Sequence, residues 1–202
     1  MTVQANVENV ETDVDPMVVF QESGQFFLAR LALVPEEAWG NPTPCPDWTV
    51  HDVAVHVVNG FRLVPALLAH EPVDPADRNR DRLGANLTEA GSVALGSAVA
   101  ALGRPGALDA EVNAPAGVMP ARMFALVRMA DTVIHTWDMC SGAGTDTTIP
   151  AQLVEAVTMS SPPAFLERAR EAGVFGPPID VDPGADKQTV LLALYGRRDA
   201  GR

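Results

Sequence analysis

Lysine is almost missing from this chain. Lys187 is the single lysine among 14 basic residues, and 26 acids set the formal net charge at -12. Schiff-base and phosphate-loop lysine chemistry is thereby confined to Lys187, and neither G-x-x-x-x-G-K-[ST] nor G-x-G-x-x-G occurs. Nucleic acid is not an expected partner, because neutralising phosphates takes clustered Lys and Arg. An anionic membrane surface is excluded on the same ground. Aromatics are only 5% of the chain, so a base-stacking platform has little to be built from. Cys45 and Cys140 form no C-x-x-C pair and no disulfide framework. No apolar run approaches the ~18 residues of a membrane span. The stretch before Pro16 is acidic, without the basic and apolar regions of a secretory signal, so a cytoplasmic, reduced setting is expected.

What is present is apolar and helical in pattern. Hydrophobic residues make up 47% of 202 residues, enough for one good core. Residues 1–14 read as an acidic lead-in. Asp15-Pro16 then reads as a cap followed by proline at the first helical position, ahead of a stripe through Phe20, Phe27 and Leu31. NPTPCPDWT (41–49) is a loop, since its prolines forbid a regular element. Thr49, with Asp52 three residues on, opens a helix from Val50 to about Leu68. Residues 71–82 are polar and expected to be exposed. Helical spacing returns over 86–102, and 103–117 holds two short extended stretches at most. Met119-Pro120 opens a long helix to about Cys140, with Gly142 as its expected stop. Helices over 151–160, 163–172 and 187–194 follow, with a Pro/Gly-rich strap over 173–185. Four long helices and a C-terminal wrap predict an all-α helix bundle.

The candidate chemistry sits in four histidines. His70 falls at a helix end and His51 points outward, whereas His56 and His135 each interrupt an apolar stripe. A buried imidazole needs a partner. Asp131 precedes His135 by four residues, which stacks the two on one helix face. Two readings are open on spacing alone. Asp131 hydrogen-bonds His135 at the surface while His56 is a satisfied core histidine, or the three converge on a divalent metal, for which imidazole and carboxylate are good zinc ligands. Asp138 is either an acceptor for an imidazole N–H or a helix-end carboxylate paired with an arginine. Arg122 and Arg128 read as solvated helix charges that could alternatively meet a cofactor carboxylate. Trp48 and Trp137 read as packing anchors, Cys140 as packing, and Cys45 as a small buried residue rather than a nucleophile, with no histidine neighbour visible.

At these residues the sequence resembles a known family. TPCPDWTVHDVAVHVV (43–58) is similar to the loop and first ligand helix of the mycothiol-dependent maleylpyruvate isomerase-like proteins, within the DinB-like metal-binding bundles. RMADTVIHTWDMCSGAG (128–144) resembles their second ligand helix, and FGPPIDVDPGADKQTVLLALYGRR (175–198) the C-terminal signature of an uncharacterised branch. The resemblance implies an antiparallel four-helix bundle with one long crossover. It divides the chain into the lead-in (1–14), a metal-binding bundle (15–144) and a C-terminal helical extension packed on it (145–202).

The resemblance also implies a metal held by His56, Asp131 and His135, zinc in the characterised relatives. Mycothiol would be the thiol cofactor, a small electrophile the substrate, and a homodimer the assembly. The implied activity is of the isomerase or S-transferase type. Its rival is a non-catalytic metal-binding bundle acting as a sensor or stress-interaction module. Two departures stand out. Asp131 occupies the place of a glutamate in the isomerases, and the tail after Gly144 does not resemble the isomerase's separate C-terminal domain.

Overall fold

The structure, a computed structural model, describes residues 14–198 except 82, 85, 115–116 and 172–173; the acidic lead-in therefore lies outside the described residues up to residue 13. Seven α-helices and one small hairpin are present among them. The four long helices are α1 (Pro16–Leu31), α2 (Val50–Leu68), α3 (Leu87–Leu102) and α4 (Ala121–Ala143). Each starts where local chemistry can cap it, with α4 alone lacking a side-chain cap. The Asp15 carboxylate accepts from Met17 N at 2.8 Å with Pro16 at the first position of α1. Thr49 and Asp52 form a reciprocal capping box on α2, a device worth about 1 kcal/mol. Asn86 accepts from Glu89 N at 3.0 Å to open α3.

The four helices pack as a bundle in which α1 meets α3 and α4, and α2 meets α3 and α4. Sequential pairs α1/α2 and α3/α4 thus lie across the bundle from each other, and long connections join them. The connection before α4 contains β1 (Glu111–Ala114) and β2 (Gly117–Pro120), paired antiparallel with Val112 opposite Met119. This hairpin, with a single antiparallel bridge between Pro42 and Thr49, is the departure from all-α structure among the described residues. The long helix α4 runs past Gly142 and ends at Gly144, whose left-handed φ of 67° supplies the C-cap. Gly142 is helical instead, and has a packing task described below.

α5 (Ala151–Met159), α6 (Pro163–Glu171) and α7 (Lys187–Leu194) complete the chain. Two apolar clusters result. One, around Phe20, Phe27 and Phe61, fills the bundle; the other, around Met129, Trp137, Leu153 and Leu192, lies between α4 and the C-terminal helices. α4 is therefore covered on both sides, and its charged residues Arg128 and Asp138 are buried with it. Among the described residues no helix is long and apolar enough to cross a membrane.

The 41–49 loop is docked onto α4. Asn41 Nδ2 donates to Gly142 O at 3.1 Å, and a methyl at Gly142 would fall 2.8 Å from Pro42 O and 2.9 Å from Val50 Cγ2. We expect Gly142→Ala to lower stability by about 1–3 kcal/mol through overpacking, read by urea denaturation. A midpoint unchanged from the wild type would show that the loop does not bear on α4.

Candidate metal centre

His56 comes from α2 and Asp131 and His135 from α4, two helices that pack side by side. The imidazole and carboxylate ligand atoms of these three residues all lie within 4.8 Å of one another. His56 Nε2 stands 3.5 Å from Asp131 Oδ2, and His135 Nε2 3.8 Å from Asp131 Oδ1. The structure thus joins the three residues singled out by sequence. It sets His70 apart, exposed beyond α2, and His51 half-buried opposite Asp81.

Each ring is held by its other nitrogen. His56 Nδ1 is 2.9 Å from Asn79 Oδ1, and His135 Nδ1 is 3.0 Å from Asp138 Oδ2. Both partners are acceptors, so each neutral ring carries its proton on Nδ1 and presents a lone pair at Nε2. Burial pushes the His56 pKa down, with Asp131 opposing, so this ring is neutral at pH 7. Burial would raise the Asp131 carboxyl, but the Arg128 guanidinium outweighs it and holds it well below the usual carboxylate range.

The result is a convergence of acceptors. His56 Nε2 and Asp131 Oδ2 are buried and have no hydrogen-bond partner. Arg128 Nη2 lies 3.0 Å from Asp131 Oδ2, an ion-pair distance, but makes no hydrogen bond to it. Lone pairs that face one another without a donor are costly in a protein interior. A divalent cation satisfies such a set, and one carboxylate with two neutral imidazoles suits zinc. By this test the residues fit a metal, and the partners of each Nδ1 supply the outer support that metal-binding histidines ordinarily have.

Three other segments close around the triad. The 41–49 loop lays the Trp48 ring over both imidazoles, 4.7 Å from His56 and 5.5 Å from His135 between centroids. Asp47 takes a left-handed φ of 65° just before it. The short 3-10 helix Pro75–Asn79 brings in Asn79, so the polar 71–82 segment does more than face solvent. Arg197, from the turn after α7, grips Asp138 with Nε at 3.1 Å and Nη2 at 2.9 Å. Both sequence readings of Asp138 therefore hold at once: it accepts from an imidazole and pairs with an arginine.

Other expectations are corrected. Arg128 is only 4% exposed and lies against Gly60, where a Cβ would overlap its guanidinium; it is not a solvated helix charge. Arg122 does pair at the surface, with Asp109. Cys45 has a histidine neighbour after all, forming a second close group with His135 and Asp138. Its thiol nonetheless stays protonated at neutral pH. Burial, then the Asp138 charge, pushes its pKa up to about 11, against the pull of Arg197. Asn79 gave no signal in the sequence, and Arg197 entered only within the 175–198 resemblance with no role attached, since each reaches the site from a segment without periodic pattern. Trp137 is core, and Cys140 is buried in packing.

A helical bundle with a two-histidine, one-aspartate cluster between adjacent helices is thus the class that fold and site define. The family model described as mycothiol maleylpyruvate isomerase N-terminal domain matches residues 20–140. The chain belongs to that family. Two uncharacterised proteins of Mycobacterium tuberculosis, from strains CDC 1551 and H37Rv, are each 32% identical over 139 residues, covering 69% of this chain and 73% of theirs. The crystal structure of a histidine-to-alanine mutant of mycothiol-dependent maleylpyruvate isomerase shares the fold, with a TM-score of 0.58 at 19% identity. That match covers 70% of this chain and 65% of the isomerase chain, so the chain spans just under two thirds of that enzyme's length.

The buried pair makes stability depend on pH. Burial alone would raise the Asp138 carboxyl, but hydrogen bonds from His135 and Arg197 win and lower it. A lowered carboxyl contributes its stability above the unfolded value near pH ~4 and loses it as pH falls through the folded value. Asp138→Ala is expected to cost about 3–5 kcal/mol at pH 7, because Arg197 is left buried without its partner. The gap from wild type should narrow below about pH 4. Denaturation at a series of pH values tests this, and a pH-independent gap would contradict the assignment.

Proposed function

We propose that the chain is a metal-dependent, thiol-using enzyme of the isomerase or S-transferase type. In this reading His56, Asp131 and His135 hold a divalent metal, zinc by the chemistry of the set. The thiol is mycothiol, as the family description suggests, and the substrate is a small electrophile. The observation that carries the reading is the convergence of acceptors: His56 Nε2 and Asp131 Oδ2 make no hydrogen bond, Asp131 having only the Arg128 charge beside it, and His135 Nε2 faces the same carboxylate.

A zinc ion bound by three protein ligands keeps a position open, and when present it favours thiolate over thiol near neutral pH. The chain's own residues set the conditions. Asn79 and Asp138 keep both rings turned with Nε2 inward. Arg128 keeps Asp131 in its charged, metal-ligating form. Trp48 covers the two imidazoles and limits water. Cys45, held as a thiol, does not compete as a nucleophile with a bound cofactor. A cofactor thiolate would form a carbon–sulfur bond at an activated carbon of the electrophile. On a conjugated double bond the π electrons would move to the adjoining carbonyl; their return after bond rotation would expel the thiolate with the bond isomerised, whereas protonation at carbon would leave the thioether of an S-transfer.

Metal analysis of protein purified without chelator tests the centre. His56→Ala, Asp131→Ala and His135→Ala should lose stoichiometric metal, and His70→Ala should retain it; equal metal in all four would overturn the assignment. Calorimetry of the metal-loaded protein with mycothiol tests the thiol. Saturable binding is expected, and its absence would leave the non-catalytic metal-binding bundle as the better description.

A further inference from the structure

Arg197 lies outside residues 20–140, the part of the chain that the family model matches. It is nevertheless built into the site. Gly196 turns the chain at a left-handed φ of 73°, where a Cβ would fall 3.2 Å from Gly176 O and Pro177 O. The Tyr195 hydroxyl is 2.6 Å from Ser161 Oγ, and Arg170 Nη2 donates to Leu194 O at 2.6 Å. The Arg197 backbone N donates to Leu192 O at 2.9 Å, and its Nη1 to Tyr195 O at 2.9 Å. With the side chain so fixed, Nε and Nη2 form a two-pronged fork on Asp138, which is fully buried.

That fork acts through one oxygen. Asp138 Oδ2 accepts from Arg197 Nη2 at 2.9 Å and from His135 Nδ1 at 3.0 Å. A planar guanidinium gripping both oxygens fixes the plane of the carboxylate. The carboxylate in turn fixes the ring plane and tautomer of His135, and so the direction of its Nε2 lone pair. Without the fork the carboxylate is free to rotate, and either ring nitrogen can carry the proton.

We infer that Arg197 is a positioning residue of the metal centre: by orienting Asp138 it holds His135 in the Nδ1–H form, with Nε2 aimed at the space shared with His56 and Asp131. The C-terminal segment is on this account a working part of the site. The metal arm of the inference rests on the proposed function; the tautomer arm does not.

The experiment uses the full chain as wild type, Arg197→Lys, Arg197→Met and the double variant Asp138→Asn/Arg197→Met. The double variant removes the buried charge that Arg197→Met strands, so it keeps the test open if the single variant fails to fold. Nitrogen-15 NMR of the metal-free protein reads the His135 tautomer. Wild type should show the Nδ1–H form, and Arg197→Lys and the double variant a mixture. Cobalt titration should show a dissociation constant raised about 10-fold or more in the variants, with far-UV circular dichroism unchanged. Folded variants that keep the wild-type tautomer and bind cobalt as tightly as wild type would overturn the inference. Should the wild type itself take up no cobalt, the metal reading fails and the tautomer alone decides the role of Arg197.

Discussion

Everything at the centre follows from one constraint: an ionised carboxylate, Asp131, is enclosed by two imidazoles and a guanidinium in the packed seam between α2 and α4. Removing such a charge from water costs several kcal/mol unless neighbours offset it. Arg128 offsets part of it by charge, and needs Gly60 on α2 to leave room for its guanidinium. In their neutral form the imidazoles offer no donor at Nε2 while the proton is shared with Asn79 or Asp138. The enclosure is thus left with acceptors that lack a well-placed donor, which is the condition a metal ion would meet.

The same constraint shapes the fold around it. α4 is buried on both sides, by the bundle on one and by α5, α6 and α7 on the other. A helix so placed can carry Arg128, Asp131 and Asp138 only because each is paired within a short reach. The 41–49 loop and the Pro75–Asn79 turn are likewise held in place by contacts with the two ligand helices. Irregular segments seldom hold a tight geometry unaided, so their docking on rigid elements is what gives the centre its precision.

The core of this arrangement was legible in the sequence, and for a physical reason. His56, Asp131 and His135 interrupt apolar stripes, and a polar group in such a stripe must be satisfied by something nearby. Helix starts were equally legible, because Asp15, Thr49 and Asp52 carry capping chemistry that acts over three residues. The end of α4 was misplaced at Gly142, because a helical glycine demanded by a close approach from Pro42 looks the same in sequence as one that stops a helix. The tasks of Asn79 and Arg197 are not legible there. Their role depends on which loop lies against which helix, and no local pattern encodes that. Arg128 reads in sequence as a surface charge, since its burial depends on a glycine on a different helix.

The separation of Arg197 from Asp138 by 59 positions also imposes an order of events. A chain made from its N-terminus forms α2 and α4, and with them the three acceptors, well before the turn after α7 exists. In that interval Asp138, the partner of His135 on the same helix, has no arginine to fix its plane. The two-pronged support behind His135 is therefore completed last, at the moment the turn after α7 docks on α4.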